Sequence, residues 1–165
     1  MKEKNRTQMS KLPKIILASK SPGRAKILDQ IKIPYITIPS EVIEDKFSED
    51  PRKYVQDLSL KKAKKVSTSI EKEEKFKHSV IIACDTVVMD PYGKIVGKPK
   101  LYEEAKTMLR TFSDKSHTVL TGCTVIIKPG YNIYQNVIST QVVFKRLFLS
   151  LIHISEPTRP LYISY

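Results

Sequence analysis

The 165-residue chain has no apolar run long enough to span a membrane; its longest hydrophobic stretches are strand-sized. Its start is polar and basic with no apolar centre, which argues against a secretory signal and predicts a disordered leader over residues 1–12. Only two cysteines occur, Cys84 and Cys123, each inside an apolar β-like run and far from any CxxC spacing. They fit buried thiols in a reducing, cytoplasmic compartment better than a disulfide or a zinc site. His78, His117 and His153 lack metal-ligand spacing, and no nucleophile–base motif of a serine or cysteine hydrolase is present. Internal repeats are also absent.

What the chain has in excess is positive charge. The formal net charge is +12, which suits nucleic acid, an anionic membrane surface or phosphorylated small molecules. The lysines are spread along the chain, without the aromatic-interleaved basic block of a single-strand binder, so specific nucleic-acid binding is not expected. A lysine-rich solvated surface is the plainest account of the excess. Hydrophobic residues at 41% and charged residues at 28% are ordinary for a globular domain.

Periodicity predicts the elements. Residues 14–19 (KIILAS) read as a buried strand. Pro22 then suits a first helical turn, with Ile27, Leu28 and Ile31 at helical spacing until Pro34. A second strand covers 35–38, and a long amphipathic helix runs from Pro51 to about Ile70, followed by a charged stretch over 71–77. Residues 79–89 (SVIIACDTVVM) form the strongest strand, and a DPYG turn leads to a short return strand over 94–96. Leu101, Ala105, Met108, Leu109 and Phe112 share one helical face, and two long strands, 117–127 and 132–144, flank a KPGY turn. The pattern predicts an α/β fold around a mixed central sheet with flanking helices.

Several places break these patterns. Ser19, Ser21 and Arg24 sit at the first strand–helix joint, where free N–H groups cradle phosphate oxygens. On spacing alone, an ordinary serine helix cap is the commoner case. Asp85 lies in the middle of the most apolar strand, where a carboxylate needs a partner, a metal or a structural salt bridge. Lys62 falls near the centre of the stripe made by Val55, Leu58, Ala63, Val66 and Ile70, at about 100° per residue. Lys61 and Lys64 point away and Lys65 lies at the edge. An inward lysine calls for an anion, unless it snorkels out to solvent. Gly97-Lys98-Pro99 aims a lysine back over the sheet, and the acidic EVIED segment, containing Glu44, could supply oxygen ligands or simply be a solvated loop. Inward cations with isolated carboxylates describe a metal–polyphosphate site.

At these residues the chain resembles the Maf family of nucleoside triphosphate pyrophosphatases. ILASKSPGRAKIL is similar to that family's LAS-x-SPRR-x-x-LL opening, and SEVIED, LSLKKAKKV, IIACDTVV, IVGKPK, EEAKTMLRTFS, SHTVLTGCTV and TQVVFKRL follow in the family's order and spacing. The resemblance covers about residues 13–147. It implies a fold similar to the inosine triphosphate pyrophosphatases, with a cleft between two lobes. It implies hydrolysis of a nucleoside triphosphate to monophosphate and pyrophosphate, with a divalent cation, magnesium or manganese. By position, it gives phosphate contacts to Ser19, Ser21 and Arg24, the metal to Glu44 and Asp85, water activation to Asp85, and catalytic cations to Lys62 and Lys98. Asp85-Thr86 resembles the branch acting on dTTP and UTP, which makes Thr86 a substrate-side residue.

The chain also departs from the family pattern. Gly23 replaces an arginine of SPRR, and Asp114 a glycine of the SG-x-x-H loop. The family's later helix and strands, with a glutamine and an aspartate that help complete the pocket, are not found after Leu147. Residues 148–165 read instead as a non-family tail, expected to be an artefact, and the chain as a truncated member. The expected partner is the nucleotide substrate, with no membrane and no specific nucleic acid, and a homodimer is one possible assembly. The alternative is a catalytically inactive Maf-like protein that binds nucleotides or regulates cell division; a basic nucleic-acid-binding domain is weaker.

Overall fold

The computed structural model describes residues 13–43 and 50–148. The leader over 1–12, the acidic residue Glu44, and all but the first residue of the tail lie outside the described residues.

Strand β1 (Lys14–Leu17) leads into helix α1 (Pro22–Gln30) and strand β2 (Tyr35–Thr37). Helix α2 (Pro51–Ser69) and a single 3-10 turn (Glu74–Phe76) lead to β3 (Ser79–Met89), its short partner β4 (Ile95–Val96) and helix α3 (Tyr102–Phe112). The hairpin β5 (Ser116–Ile127) and β6 (Asn132–Val143) follows. The sheet is six-stranded and mixed, in the order β2-β1-β3-β5-β6 with β4 beside β3. β1 is parallel to both β2 and β3, whereas β4 and β5 run antiparallel to β3 and β6 antiparallel to β5. Alternation of strands with helices, then a hairpin, predicts the mixed sheet but not this strand order.

Helix α2 anchors the core. Asp50 caps it, its Oδ1 accepting from the N–H groups of Arg52 and Lys53 at 2.9 and 3.3 Å, and Pro51 takes the first helical position. Its apolar stripe buries Ala63, Val66 and Ile70 against Ile16, Ile81, Ala83 and Ile126. Further along, Tyr54, Val55 and Leu58 pack on Val87 and Leu120. Gly122 lets α2 come close to the sheet: a Cβ there would lie 2.3 Å from the Val55 carbonyl oxygen. Beside it, Ser59 Oγ and Thr124 Oγ1 form a buried hydrogen bond of 2.8 Å.

Three expectations change in detail. The charged stretch over 71–77 contributes Phe76 to the core, 4% exposed. In α3 only Phe112 is buried, and Leu101 is 66% exposed. Leu101 holds an extended backbone at the N-cap rather than joining the helical stripe, while the Glu104 carboxylate receives the N–H groups of Lys100 and Leu101. The two cysteines are half-buried, not buried. Asp114, where the family has glycine, has φ of 57°, a backbone region that favours glycine.

Candidate active site

The chain leaves β1 toward β2 on one side and returns to β3 on the other. The carboxyl end of β1 is therefore a switch point, the place where open α/β sheets bind ligands. β3 is paired with β1 as far as Ile82 and with β4 from Val88 onward. Between them, this edge of β3 has no neighbouring strand. A crevice of about 860 Å³ opens there, within the range of small-molecule sites.

Strand alternation divides the site between two faces. Asp85 points toward α2, where Lys62 Nζ donates to its Oδ1 at 2.6 Å. Both side chains are largely buried, 13% and 10% exposed. Lys61, Lys64 and Lys65 are exposed. The two residues that broke different sequence patterns are thus in contact, and their salt bridge lies on the crevice wall. Thr86 points to the opposite face and meets α1. Arg24 donates from Nη2 to Thr86 Oγ1 at 3.3 Å and from Nη1 to Ser19 Oγ at 3.1 Å. Thr86 Oγ1 also lies 3.1 Å from Thr121 Oγ1.

Ser19 is buried, and its Oγ accepts from the Ser21 N–H at 3.1 Å. Ser21 occupies the N-cap of α1 but makes no side-chain bond back to the helix. The ordinary serine cap is therefore not what forms here, and the helix N-terminus faces the crevice with its donors uncapped by Ser21. Lys98 is exposed on the loop after β4 and lines the same crevice. Ser19, Ser21, Arg24, Lys62, Asp85, Thr86 and Lys98 all line this one space.

Sequence reasoning missed part of the lining. Lys20 and Lys100 add cations, and Val42, Tyr54, Val87, Val88 and Val96 an apolar portion; Glu41 lines it too, from the acidic EVIED segment that the sequence offered as a source of oxygen ligands. Tyr54 continues the α2 stripe one turn before Leu58, which was the signal available for it. Lys20 pairs with Glu41 at 3.4 Å in an exposed bridge of little energetic weight. Arg24, Lys98 and Lys100 have no carboxylate partner among the described residues. The crevice is therefore cationic around its serine-rich rim and apolar elsewhere. That division suits a phosphorylated molecule carrying a flat organic group.

Comparison with known proteins is consistent with this geometry. The dTTP/UTP pyrophosphatase of Caldanaerobacter subterraneus subsp. tengcongensis is 39% identical over 134 residues, 81% of this chain and 62% of that protein. The dTTP/UTP pyrophosphatase of Carboxydothermus hydrogenoformans is 44% identical over 116 residues, covering 70% and 59%. That of Thermotoga maritima is 38% identical over 149 residues, covering 90% and 69%. The chain thus spans about three-fifths of the first of these relatives. The Maf-like protein family matches residues 14–153, and the chain belongs to that family.

Proposed function

We propose that this chain carries the nucleotide site of a nucleoside triphosphate pyrophosphatase that takes dTTP or UTP. The observation that carries the reading is the crevice at the β1 switch point, where Arg24, Lys98 and Lys100 surround a carboxylate–lysine pair. The triphosphate would lie along Ser19, Ser21 and the start of α1, with Arg24 and Lys98 offsetting its charge. The base and sugar would lie against Tyr54, Val42 and Val88. Relatives named for dTTP and UTP support the pyrimidine choice, as does Thr86 beside Asp85.

In the reaction, a water oxygen adds to the α-phosphorus and the bond from that phosphorus to the bridging oxygen breaks. The products are the monophosphate and pyrophosphate. Asp85 is the group on the wall that can take the water's proton, held in place by Lys62. No group of three metal-binding side chains occurs among the described residues. A magnesium or manganese ion needs only one or two carboxylates when phosphate and water supply its other oxygens, and Asp85 fits that requirement. Such an ion would offset charge developing on the phosphoryl oxygens. Cytoplasmic residence belongs to the same reading. Among the described residues, no helix is long and apolar enough to cross a membrane.

The test is product analysis of the protein mixed with dTTP or UTP and magnesium, followed by phosphorus NMR. Pyrophosphate and monophosphate, lost in excess chelator, are expected. Orthophosphate as the first product would sink the proposal. Nucleotide binding without any product favours the second reading, an inactive nucleotide-binding protein.

A further inference from the structure

Cys84 and Cys123 occupy directly opposed positions on antiparallel β3 and β5. Their Sγ atoms lie 3.2 Å apart, with the Cys84 thiol donating to Cys123. Directly opposed residues of an antiparallel pair have Cα atoms about 4.5–5.5 Å apart, inside the span that a disulfide bridges. Both side chains are half-buried and reduced, on the sheet face away from α2. The next rung on that face is Thr86 opposite Thr121, and Thr86 receives Arg24. The dithiol therefore sits one rung from the cationic rim of the crevice.

We infer that Cys84 and Cys123 form a reversible dithiol–disulfide couple, a redox modification site beside the crevice that responds to peroxide. The Cys123 thiolate attacks one oxygen of hydrogen peroxide, the O–O bond breaks, sulfenic acid forms, and the departing hydroxide takes up the proton that the Cys123 thiol had released, giving water. The Cys84 sulfur then attacks the Cys123 sulfur. The S–O bond breaks, the hydroxyl leaves as a second water with the Cys84 proton, and the disulfide closes. Two electrons pass from the thiols to the peroxide, and two thiol equivalents restore the starting state.

The hydrogen bond between the two thiols assigns the order of attack. The Cys84 thiol donates to Cys123 Sγ, so a negative charge on Cys123 is the one that a donor stabilises. Cys123 is the nucleophile and Cys84 the resolving thiol. A soft-metal site does not fit the same atoms, since no third ligand stands with them among the described residues. The inference does not depend on the nucleotide reading, because neither sulfur is assigned a substrate contact.

The experiment uses the full chain under mild hydrogen peroxide, without nucleotide. Alkylation and peptide mass spectrometry should find the peptides of Cys84 and Cys123 joined within one chain, and a thiol reductant should release them. In Cys84→Ser, a sulfenic-acid trap should label Cys123 roughly tenfold or more faster than it labels Cys84 in Cys123→Ser. The unmutated protein decides the matter if either variant folds poorly. Two thiols that survive peroxide, or disulfides found only between chains, would overturn the couple. Equal labelling in the two variants would overturn the order of attack.

Discussion

The two faces of the sheet are built differently. The face under α2 is closed: Ile16, Ile81, Ala63 and Ile126 are fully buried, and its polar pair, Ser59 and Thr124, is bonded internally. The face toward α1 is looser. Its β3 and β5 side chains from Val80 to Thr86 and from Val119 to Ile127 are half-buried, and Arg24, Thr86, Thr121 and the two thiols meet there. The site draws one group from each face: Asp85 with Lys62 from the closed face, Thr86 with Arg24 from the open one. A rigid helix–sheet contact holds the buried ion pair in place, while the looser face leaves donors accessible to an anion.

If that division is right, the sharpest break comes at Asp85. Asp85→Asn keeps the shape and removes the charge, and turnover of dTTP or UTP should fall by about a thousandfold. Nucleotide binding should persist when measured below the unfolding transition, which should itself drop because asparagine leaves the buried Lys62 ammonium without its counter-charge. On α2, Lys62→Ala removes the bridge to Asp85 and should cost up to about 3–5 kcal/mol in stability, together with activity. The exposed Lys64→Ala should stay within about 0.5 kcal/mol of wild type. Equal behaviour of the two lysine variants, in turnover and in denaturant midpoint, would erase the distinction between the closed face and the solvent.

The next effect tests how tightly the closed face is packed. Gly122 is the register partner of Asp85 and lies under Val55 of α2. Gly122→Ala would place a methyl where a backbone carbonyl already stands. The helix must retreat, at a cost of roughly 1–3 kcal/mol, and should carry Lys62 away from Asp85. Denaturant unfolding gives the stability and turnover gives the displacement. Wild-type values in both would mean that α2 and the sheet are less closely packed than described.

Much of this was legible before the fold. The β3 and α2 patterns gave their elements within a residue, because a buried strand and an amphipathic helix each impose a strict period. Lys62 was readable for the same reason: a charge in an apolar stripe stands out. Asp85 stood out as a lone carboxylate in an apolar strand. Their contact was not readable, since it depends on how α2 crosses the sheet, and that crossing depends on Gly122. Lys100 and Lys20 gave no periodic signal because they lie on loops. The thiol pair was invisible for a related reason: 39 residues separate Cys84 from Cys123, and only the β3–β5 register opposes them. Residues 44–49, which hold Glu44, contribute to neither side of this account.

The smallest effect concerns a closed spot at the end of the open face. His117 stacks on Phe112 with ring centroids 4.5 Å apart, and Phe144 packs beside it at 5.3 Å. The imidazole is 6% exposed, and its Nδ1 has no hydrogen-bond partner among the described residues. Burial pushes its pKa below the ordinary 6.5. The unfolded chain therefore takes up the proton first as the pH falls. The stability that neutral His117 contributes is fully present above about pH 6.5 and is lost as the pH drops through the folded value. His117→Phe keeps the aromatic stack and removes the titration. Between pH 8 and pH 5 its melting temperature should fall less than that of the wild type, by a margin under about 5 °C. Parallel melting profiles for the two proteins would show that this corner of the open face is as wet as the rest of it.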